Sequence, residues 1–158
     1  MIKLEQAHLK DVEKLTETQI RTFIDDNKNK PQGCSQEGPP GYNSLKWNEH
    51  WVQNTPYYKI IYNGQLVGGL ILFELGRDHM EVGRIWVDPV FQSLGIGQAA
   101  MQKMFNLHTG IKKWTLGTPL WAVRNQYFYE KLGFTKVNIT GVDPDLGWAG
   151  VEYEKLYD

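Results

Sequence analysis

A glutamine and two glycines stand between a predicted strand and a predicted helix, in the segment Gln92-Ser93-Leu94-Gly95-Ile96-Gly97-Gln98. The first-turn amides of a helix have no intrahelical acceptor, and the helix dipole favours negative charge beside them. Glycine also lets a diphosphate approach the backbone closely. The pattern therefore predicts a loop that binds a diphosphate through backbone amides. A tight turn without a ligand is the alternative interpretation.

The same glycines match a second template, because Gly95-Ile96-Gly97-Gln98-Ala99-Ala100 fits the G-x-G-x-x-A fingerprint of dinucleotide-binding folds. Residues 88–94 separate the preceding strand from Gly95, whereas that fingerprint follows its strand almost directly. The acidic ribose ligand expected about twenty residues later is missing. An antiparallel meander, not a βαβ unit, precedes the loop. These features disfavour a nicotinamide dinucleotide as the ligand.

A second informative segment is Asn125-Gln126-Tyr127-Phe128-Tyr129-Glu130-Lys131-Leu132-Gly133-Phe134. It predicts a helix over residues 125–132 that Gly133 stops. Together with the Q-x-x-G-x-G pattern, this segment resembles the GNAT superfamily of acetyl-CoA-dependent N-acetyltransferases. The two motifs lie in that family's order, with a short strand between them. The order of strands and helices outside the motifs is also similar, so the resemblance covers essentially the whole chain.

The resemblance implies acetyl-CoA as the acetyl donor. It assigns the pantetheine arm to the backbone of one strand, the pyrophosphate to the glycine loop, and the thioester to the late helix. The implied coenzyme-binding residues are Ile85, Trp86, Val87, Gln92, Ser93, Leu94, Gly95, Ile96, Gly97, Gln98, Asn125 and Tyr129.

Two catalytic roles follow from the chemistry. The attacking amine must lose a proton, because an alkyl ammonium has a pKa near 10, so a base is useful. Glu81 matches a strand position where some family members hold a catalytic glutamate, and strand alternation places it on the apolar face of Ile85 and Val87. Tyr129 matches the tyrosine that protonates the departing thiolate. His79 is an alternative base, and ordinary packing or solvent exposure is the alternative for both residues.

In the family, the acceptor lies against the first two helices, the loop between them and the loop joining the last two strands. Aromatic residues in these regions that could contact it are Phe23, Tyr42, Trp47 and Trp148. Carboxylates such as Asp25, Asp26 and Glu37 lie nearby in sequence. Aromatic rings beside carboxylates suit a cationic or apolar amine. Basic residues are sparse in these loops, which disfavours a polyanionic acceptor.

The amino-acid composition excludes several other classes of protein. Lys and Arg number 17 against 18 Asp and Glu among 158 residues, so the chain lacks the positive excess of a nucleic-acid binder or a membrane-surface protein. No apolar run is long enough to span a bilayer. The single cysteine, Cys34, fits a reducing cytoplasm and has no neighbour that would activate it. The four histidines lack metal-ligand spacing, so no metal site is expected.

Hydrophobic periodicity and turn signals predict a mixed α/β domain over residues 1–158. The resemblance implies a mainly antiparallel GNAT-type sheet of six to seven strands flanked by about four helices. Exposed sheet edges make a homodimer an expected arrangement. The predicted helices cover 8–27, a short segment opening at residue 43 or 44, a segment from Gly95 to a cap at Gly110 with Leu107 on its buried stripe, and 125–132. The predicted strands are 1–4, 57–62, 65–73, 80–87, 114–117, 134–140 and 148–156.

These observations predict a cytoplasmic N-acetyltransferase that transfers the acetyl group directly to a small-molecule or peptide amine in a ternary complex. An acyl-CoA sensor without turnover would keep the glycine loop but would need neither Glu81 nor Tyr129. A nicotinamide-dinucleotide binder is a second rival interpretation, and a structural domain without a small ligand is a third.

Overall fold

The computed structural model describes all residues from Met1 to Asp158. Seven strands form one sheet, and four α-helices pack on it. The strands are β1 (Ile2–Gln6), β2 (Tyr57–Tyr62), β3 (Gln65–Gly76), β4 (His79–Val87), β5 (Lys113–Pro119), β6 (Thr135–Ile139) and β7 (Gly150–Leu156). The helices are α1 (Val12–Asp25), α2 (Leu45–Asn54), α3 (Ile96–Leu107) and α4 (Val123–Lys131).

The strand order is β1-β2-β3-β4-β5-β7-β6, and only β4 and β5 are parallel neighbours. The predicted fold class is therefore confirmed. Asn63 and Gly64 form the predicted hairpin turn with positive φ angles of 49° and 81°, which suits a two-residue hairpin loop. None of the helices is both long and apolar enough to cross a membrane.

Several predicted boundaries are wrong. Helix α1 is shorter than 8–27, because short 3-10 turns at Leu9–Asp11 and Asp26–Asn29 flank it. Helix α4 begins two residues before Asn125. The prediction for the end of α3 also fails. Leu107 is 58 % exposed, and the helix ends with the His108 amide bonded to the Phe105 carbonyl, so Gly110 is not its cap.

Strands β4 and β5 are paired only at their beginnings. His79, Met80 and Glu81 pair with Lys113, Trp114 and Thr115. Beyond that point β4 continues to Val87 along β3, and β5 continues to Pro119 along β7. The sheet therefore opens into a V-shaped gap between β4 and β5.

A bulge in β4 reverses one prediction. The register with β3 shifts between Val82 and Arg84, which leaves Gly83 without a partner. An extra residue moves the following side chains to the other face. Glu81 therefore lies on the face of Arg84 and Trp86, and the prediction that it shares a face with Ile85 and Val87 is wrong.

The two faces of the sheet have separate cores. Helices α3 and α4 cover one face, where Met101, Met104 and Tyr129 join a buried cluster with side chains of β3, β4, β5 and β7. Helices α1 and α2 cover the other, where Leu15, Val52 and Trp86 are buried together.

A buried polar network holds α1 and α2 in place. Gln19 Nε2 donates to Asn48 Oδ1 at 2.9 Å, and the Tyr57 hydroxyl donates to the same oxygen at 2.6 Å. Asn48 Nδ2 donates to Thr16 Oγ1 at 3.2 Å. All four residues are buried, and each such bond contributes about 0.5–1.5 kcal/mol net. The network fixes the helices that face the open part of the sheet.

Gly69 on β3 makes room for the Trp86 indole, which donates to Thr18 Oγ1 at 2.9 Å. A Cβ at position 69 would overlap the Trp86 ring and touch Leu15. We expect Gly69→Ala to lower the free energy of unfolding by about 1–3 kcal/mol, as overpacking does. Urea denaturation measures this value. Gly110→Ala is the matched control, because a Cβ there meets nothing within 4 Å. Equal stability of the two variants would contradict the packing argument.

Candidate active site

A cavity of about 630 Å³ occupies the V-shaped gap and continues to the start of α3. We call it the donor cavity. Its walls come from the end of α1, the open part of β4, the glycine loop, the first turn of α3 and helix α4. It includes most of the residues predicted to bind the coenzyme: Ile85, Trp86, Val87, Gln92, Ser93, Gly95, Ile96, Gly97, Gln98, Asn125 and Tyr129. Leu94, the remaining one, is 56 % exposed and lies outside this lining.

The glycine loop has the conformation of an anion-binding turn. Ser93 and Gly95 have positive φ angles of 67° and 77°, and Gly95 is the N-cap of α3. The first helical hydrogen bond runs from the Ala99 amide to the Gly95 carbonyl at 3.1 Å. The amides of Ile96, Gly97 and Gln98 therefore precede the helical ladder and are free for a ligand.

Side chains brace this loop at its base. Gln92 Nε2 donates to the Val87 carbonyl at 2.9 Å. The buried Asp88 carboxylate accepts from Arg21 at 2.6 and 2.8 Å and from the Val90 amide at 3.1 Å. Arg124 of α4 donates to Ser93 Oγ at 3.3 Å. These contacts hold the loop in its conformation through side chains of the chain itself.

Arg124 is a site residue that sequence reasoning missed. It lines the donor cavity and places a positive charge beside the glycine loop. Arg124 directly precedes Asn125, so its place beside the second motif can be seen in the sequence. Its contact with Ser93 depends on how α4 docks, which no local pattern encodes.

The open edge of β4 offers backbone groups to a ligand. The Asp88 amide donates to the Val67 carbonyl of β3 at 2.7 Å. Backbone polar groups alternate in direction along a strand, so those of Trp86 also face β3, and those of Ile85 and Val87 face the gap. The Val87 carbonyl accepts from Gln92 and, at 3.2 Å, from Thr22 Oγ1.

A second cavity, of about 460 Å³, lies on the α1 side of the gap, and we call it the acceptor cavity. Its lining includes Lys30, Glu37, Arg84, Thr118 and Trp148. Six residues line both cavities: Phe23, Asp26, Ile85, Trp121, Asn125 and Tyr129. These shared residues form the junction at which a molecule in one cavity meets a molecule in the other.

Tyr129 is part of the core and of the junction at once. It is 8 % exposed and packs with Phe128, Phe134 and Tyr153. Burial alone raises the pKa of its hydroxyl above the ordinary value. The hydroxyl therefore stays protonated at neutral pH and is a hydrogen-bond donor.

Asp26 is the second titratable group at the junction. Burial and the neighbouring Asp25 raise its pKa, while Lys30, Lys28 and Arg124 act in the opposite direction. Its carboxylate forms no salt bridge within 4.0 Å, whereas Asp25 pairs with Lys28 at 3.1 Å. A carboxylate with a raised pKa at the meeting point of two cavities is suited to accepting a proton.

The four aromatic residues predicted to contact the acceptor differ in whether they line a cavity. Phe23 lines both cavities and Trp148 lines the acceptor cavity. Tyr42 and Trp47 line neither, but Tyr42 packs against Phe23. Trp47 covers the Arg84 guanidinium.

Glu81 and His79 lie at the closed end of the gap and line neither cavity. Glu81 is placed opposite Phe73 and Thr115. His79 Nε2 is 2.8 Å from Thr115 Oγ1.

Two loops close over the acceptor cavity. The Ser35 amide donates to the Leu146 carbonyl at 3.0 Å, and Cys34 Sγ donates to the Gly147 carbonyl at 3.3 Å. Lys30 Nζ lies 5.1 Å from the Trp148 ring centre. The loop between α1 and α2 is therefore joined to the loop between β6 and β7.

Comparison with known families gives a match to the model "Acetyltransferase (GNAT) family" over residues 16–134. The chain belongs to the GNAT family. An N-acetyltransferase of Bacillus cereus described as uncharacterized is 28 % identical over 98 residues, which cover 56 % of this chain and 59 % of that protein. The match thus spans about three fifths of the length of that relative.

Solved structures resemble the GNAT chain over nearly its full length. The PaiA N-acetyltransferase of Thermoplasma acidophilum, in complex with coenzyme A, superposes with a TM-score of 0.81 at 17 % identity, covering 99 % of each chain. YncA of Salmonella typhimurium, with its cofactor acetyl-CoA, has a TM-score of 0.72 at 16 % identity and covers 99 % of this chain and 94 % of its own. The predicted family is confirmed. Both solved structures share the predicted fold, and they contain coenzyme A and acetyl-CoA, respectively.

Gly95→Ala tests the glycine loop of this GNAT chain. A left-handed φ strains alanine by about 1–2 kcal/mol, so we expect the loop to shift and acetyl-CoA affinity to fall about tenfold or more, as measured by calorimetric titration. Gly33→Ala is the matched control, because Gly33 has a φ of 83°, meets nothing within 4 Å and lines neither cavity. Equal loss of affinity in both variants would contradict a specific role for the loop.

Proposed function

We propose that this chain is an N-acetyltransferase that moves the acetyl group of acetyl-CoA directly to the nitrogen of a primary amine while both are bound. The observation that carries this proposal is the junction of the donor and acceptor cavities at Tyr129 and Asp26. Two cavities that meet at a proton donor and a proton acceptor suit direct transfer between two bound molecules. We further propose that residues 1–158 form one domain. That the protein is a homodimer and lies in the cytoplasm stays a prediction from the sequence.

The donor cavity fits acetyl-CoA, whose thioester supplies an activated acetyl group. The free amides of Ile96, Gly97 and Gln98 suit its pyrophosphate, and Arg124 adds positive charge beside them. The gap-facing amide and carbonyl of Ile85 and the amide of Val87 suit the amides of its pantetheine arm, since the Val87 carbonyl is already bonded within the chain. The complexes of PaiA with coenzyme A and of YncA with acetyl-CoA support this assignment.

Tyr129 stabilises the leaving sulfur by donating a hydrogen bond. Its raised pKa keeps the hydroxyl protonated. Full proton transfer to a thiolate is unfavourable, because burial makes this hydroxyl a weaker acid than an ordinary thiol such as cysteine, whose pKa is about 8.5. The main contribution of Tyr129 is therefore a donor held in place by packing, and the proton that ends on the sulfur originates from the amine.

The acceptor attacks as the neutral amine, and Asp26 takes that proton from its nitrogen. The protonated Asp26 then gives the proton through solvent to the thiolate, which is the stronger base. The acidity of the nitrogen rises as its lone pair forms the new bond to the acetyl carbon, so a carboxylate becomes a competent base at that moment. Asp26 lines both cavities, whereas Glu81 lines neither. The role of Glu81 as base stays a prediction from the sequence, and the structure favours Asp26 over it.

Tyr129→Phe removes only the hydroxyl. We expect kcat to fall about 10- to 100-fold, because a hydrogen bond made to the leaving sulfur is lost. The KM for acetyl-CoA should change less than about threefold, and steady-state release of free thiol measures both. Tyr127→Phe is the matched control, since Tyr127 lies on the same helix and is 72 % exposed. Full activity of Tyr129→Phe would contradict the assigned role.

Asp26→Asn tests the base. A raised pKa means that the carboxylate is ionised above its titration and protonated below it. Wild-type kcat/KM, expressed per concentration of the neutral acceptor amine, should therefore rise with pH across the acidic range. Asp26→Asn should lose this rise and about 100-fold of activity at neutral pH. The measurement is kcat/KM between about pH 4.5 and 8, within the range where thermal unfolding shows the protein folded.

Asp25→Asn is the matched control for that profile. It removes a like charge beside Asp26 and frees Lys28, and both changes lower the Asp26 pKa. The rise in kcat/KM should therefore persist and move to lower pH. Persistence of the rise in Asp26→Asn and its loss in Glu81→Gln would return the role to Glu81.

A further inference from the structure

Arg84 is a cation in the acceptor cavity that the proposed transfer mechanism does not use. It follows the bulged Gly83 on β4 and directly precedes Ile85 of the junction. Its side chain is half-buried on the face covered by α1 and α2, and this burial lowers its pKa to about 10. The guanidinium therefore lies on the wall of the acceptor cavity, next to the junction.

Only neutral groups hold this guanidinium. Arg84 donates to Gln19 Oε1 at 2.9 Å and to the Pro40 carbonyl at 2.8 Å, and the Trp47 ring centre lies 4.6 Å away. No carboxylate pairs with it. A guanidinium has five N–H donors, so three remain without a protein partner. A desolvated cation without a counter-charge is costly unless a ligand completes it.

The buried polar network fixes the direction of this cation. Gln19 Nε2 donates to Asn48 and to the Tyr57 hydroxyl, which turns Gln19 Oε1 toward Arg84. The side chain is thus held in place before any ligand binds. Preorganisation of this kind reduces the entropy lost on binding.

The acceptor cavity contains one further cation and two carboxylates. Lys30 is a second cation without a salt bridge, held by the Glu37 carbonyl at 2.8 Å and by the Trp148 ring. Of the two carboxylates, Asp26 lies at the junction and Glu37 is exposed. The carboxylate of Asp26 therefore lies where the amine must react, while Arg84 and Lys30 line the acceptor cavity without lining the donor cavity.

We propose that the acceptor is an amine that also carries an acidic group, a carboxylate or a phosphate, and that Arg84 binds this group while the amine reaches the junction. This inference rests on the proposed function. Bidentate pairing with a guanidinium suits both groups. It also restricts the acceptor class to zwitterionic small molecules or to peptides that present an acidic group beside the amine.

Matched acceptors test the inference with the wild-type chain of 158 residues and acetyl-CoA. The pairs are phenylalanine and phenethylamine, histidine and histamine, lysine and cadaverine, and O-phosphoethanolamine and ethanolamine. We expect kcat/KM to favour the acidic member at least about tenfold in one or more pairs, as a charge-assisted hydrogen bond would. Carboxylate pairs and the phosphate pair distinguish the two acidic groups.

Three variants test whether Arg84 causes the preference for acidic acceptors. Arg84→Met should reduce the preference to about onefold with the KM for acetyl-CoA unchanged. Arg84→Lys keeps the charge without the planar fork and should retain part of it. Arg77→Met is the matched control, because Arg77 is exposed in the turn between β3 and β4. Thermal unfolding verifies that each variant is folded. If Arg84→Met does not fold, the ratio of kcat/KM between acidic and plain amines in the wild-type protein tests the inference by itself.

Each outcome has a definite meaning. Turnover of the plain amines alone, or an acidic preference that survives in folded Arg84→Met, overturns this inference and leaves the proposed function standing. If nothing is acetylated, but acidic amines alone raise the unfolding temperature in the presence of CoA, Arg84 keeps its role and the proposed function fails. No turnover and no stabilisation by any acceptor overturns both.

Discussion

The incomplete pairing of β4 with β5 is the constraint on which the rest of the site depends. Three residue pairs hold the strands together, and each strand then follows its other neighbour. An interior sheet seam that stops early leaves backbone polar groups without partners, which proteins normally avoid. The fold retains such a seam where a ligand can complete it. The cavities, the position of Tyr129 and the need for bracing by Gln92 and Asp88 all follow from that opening.

The opening separates two chemical environments. The donor side is built from backbone amides and a loop braced by side chains, so its selectivity comes from conformation. The acceptor side is built from side chains of α1, β4 and two loops, so its selectivity comes from residue identity. Asp26 and Tyr129 stand where these environments meet, and they depend on packing from both faces of the sheet. The buried network around Gln19 therefore contributes to stability and to the orientation of a cation in the acceptor cavity.

The sequence predicts the fold class, the hairpin turn and the glycine loop, because each rests on local patterns such as Asn63-Gly64 and Q-x-x-G-x-G. It misplaces the face of Glu81, since a bulge at Gly83 is set by the register with β3 and leaves no periodic signal. It also overlooks the roles of Asp26, Arg84 and Arg124. Asp26 looks like one more acidic loop residue, and only its burial at the junction distinguishes it. Arg84 looks like a strand residue until α1 and Trp47 enclose it.

The joined loops over the acceptor cavity have a consequence for how such a protein diverges. Ser35 and Cys34 contact the backbone at Leu146 and Gly147, and Lys30 lies against Trp148. A substitution in one loop therefore alters the contacts that hold the other loop. A second substitution that restores these contacts makes the first easier to accommodate. Neither loop contributes to the glycine turn. New acceptor preferences can consequently arise by correlated changes in two distant segments, 30–44 and 140–149, neither of which lines the donor cavity.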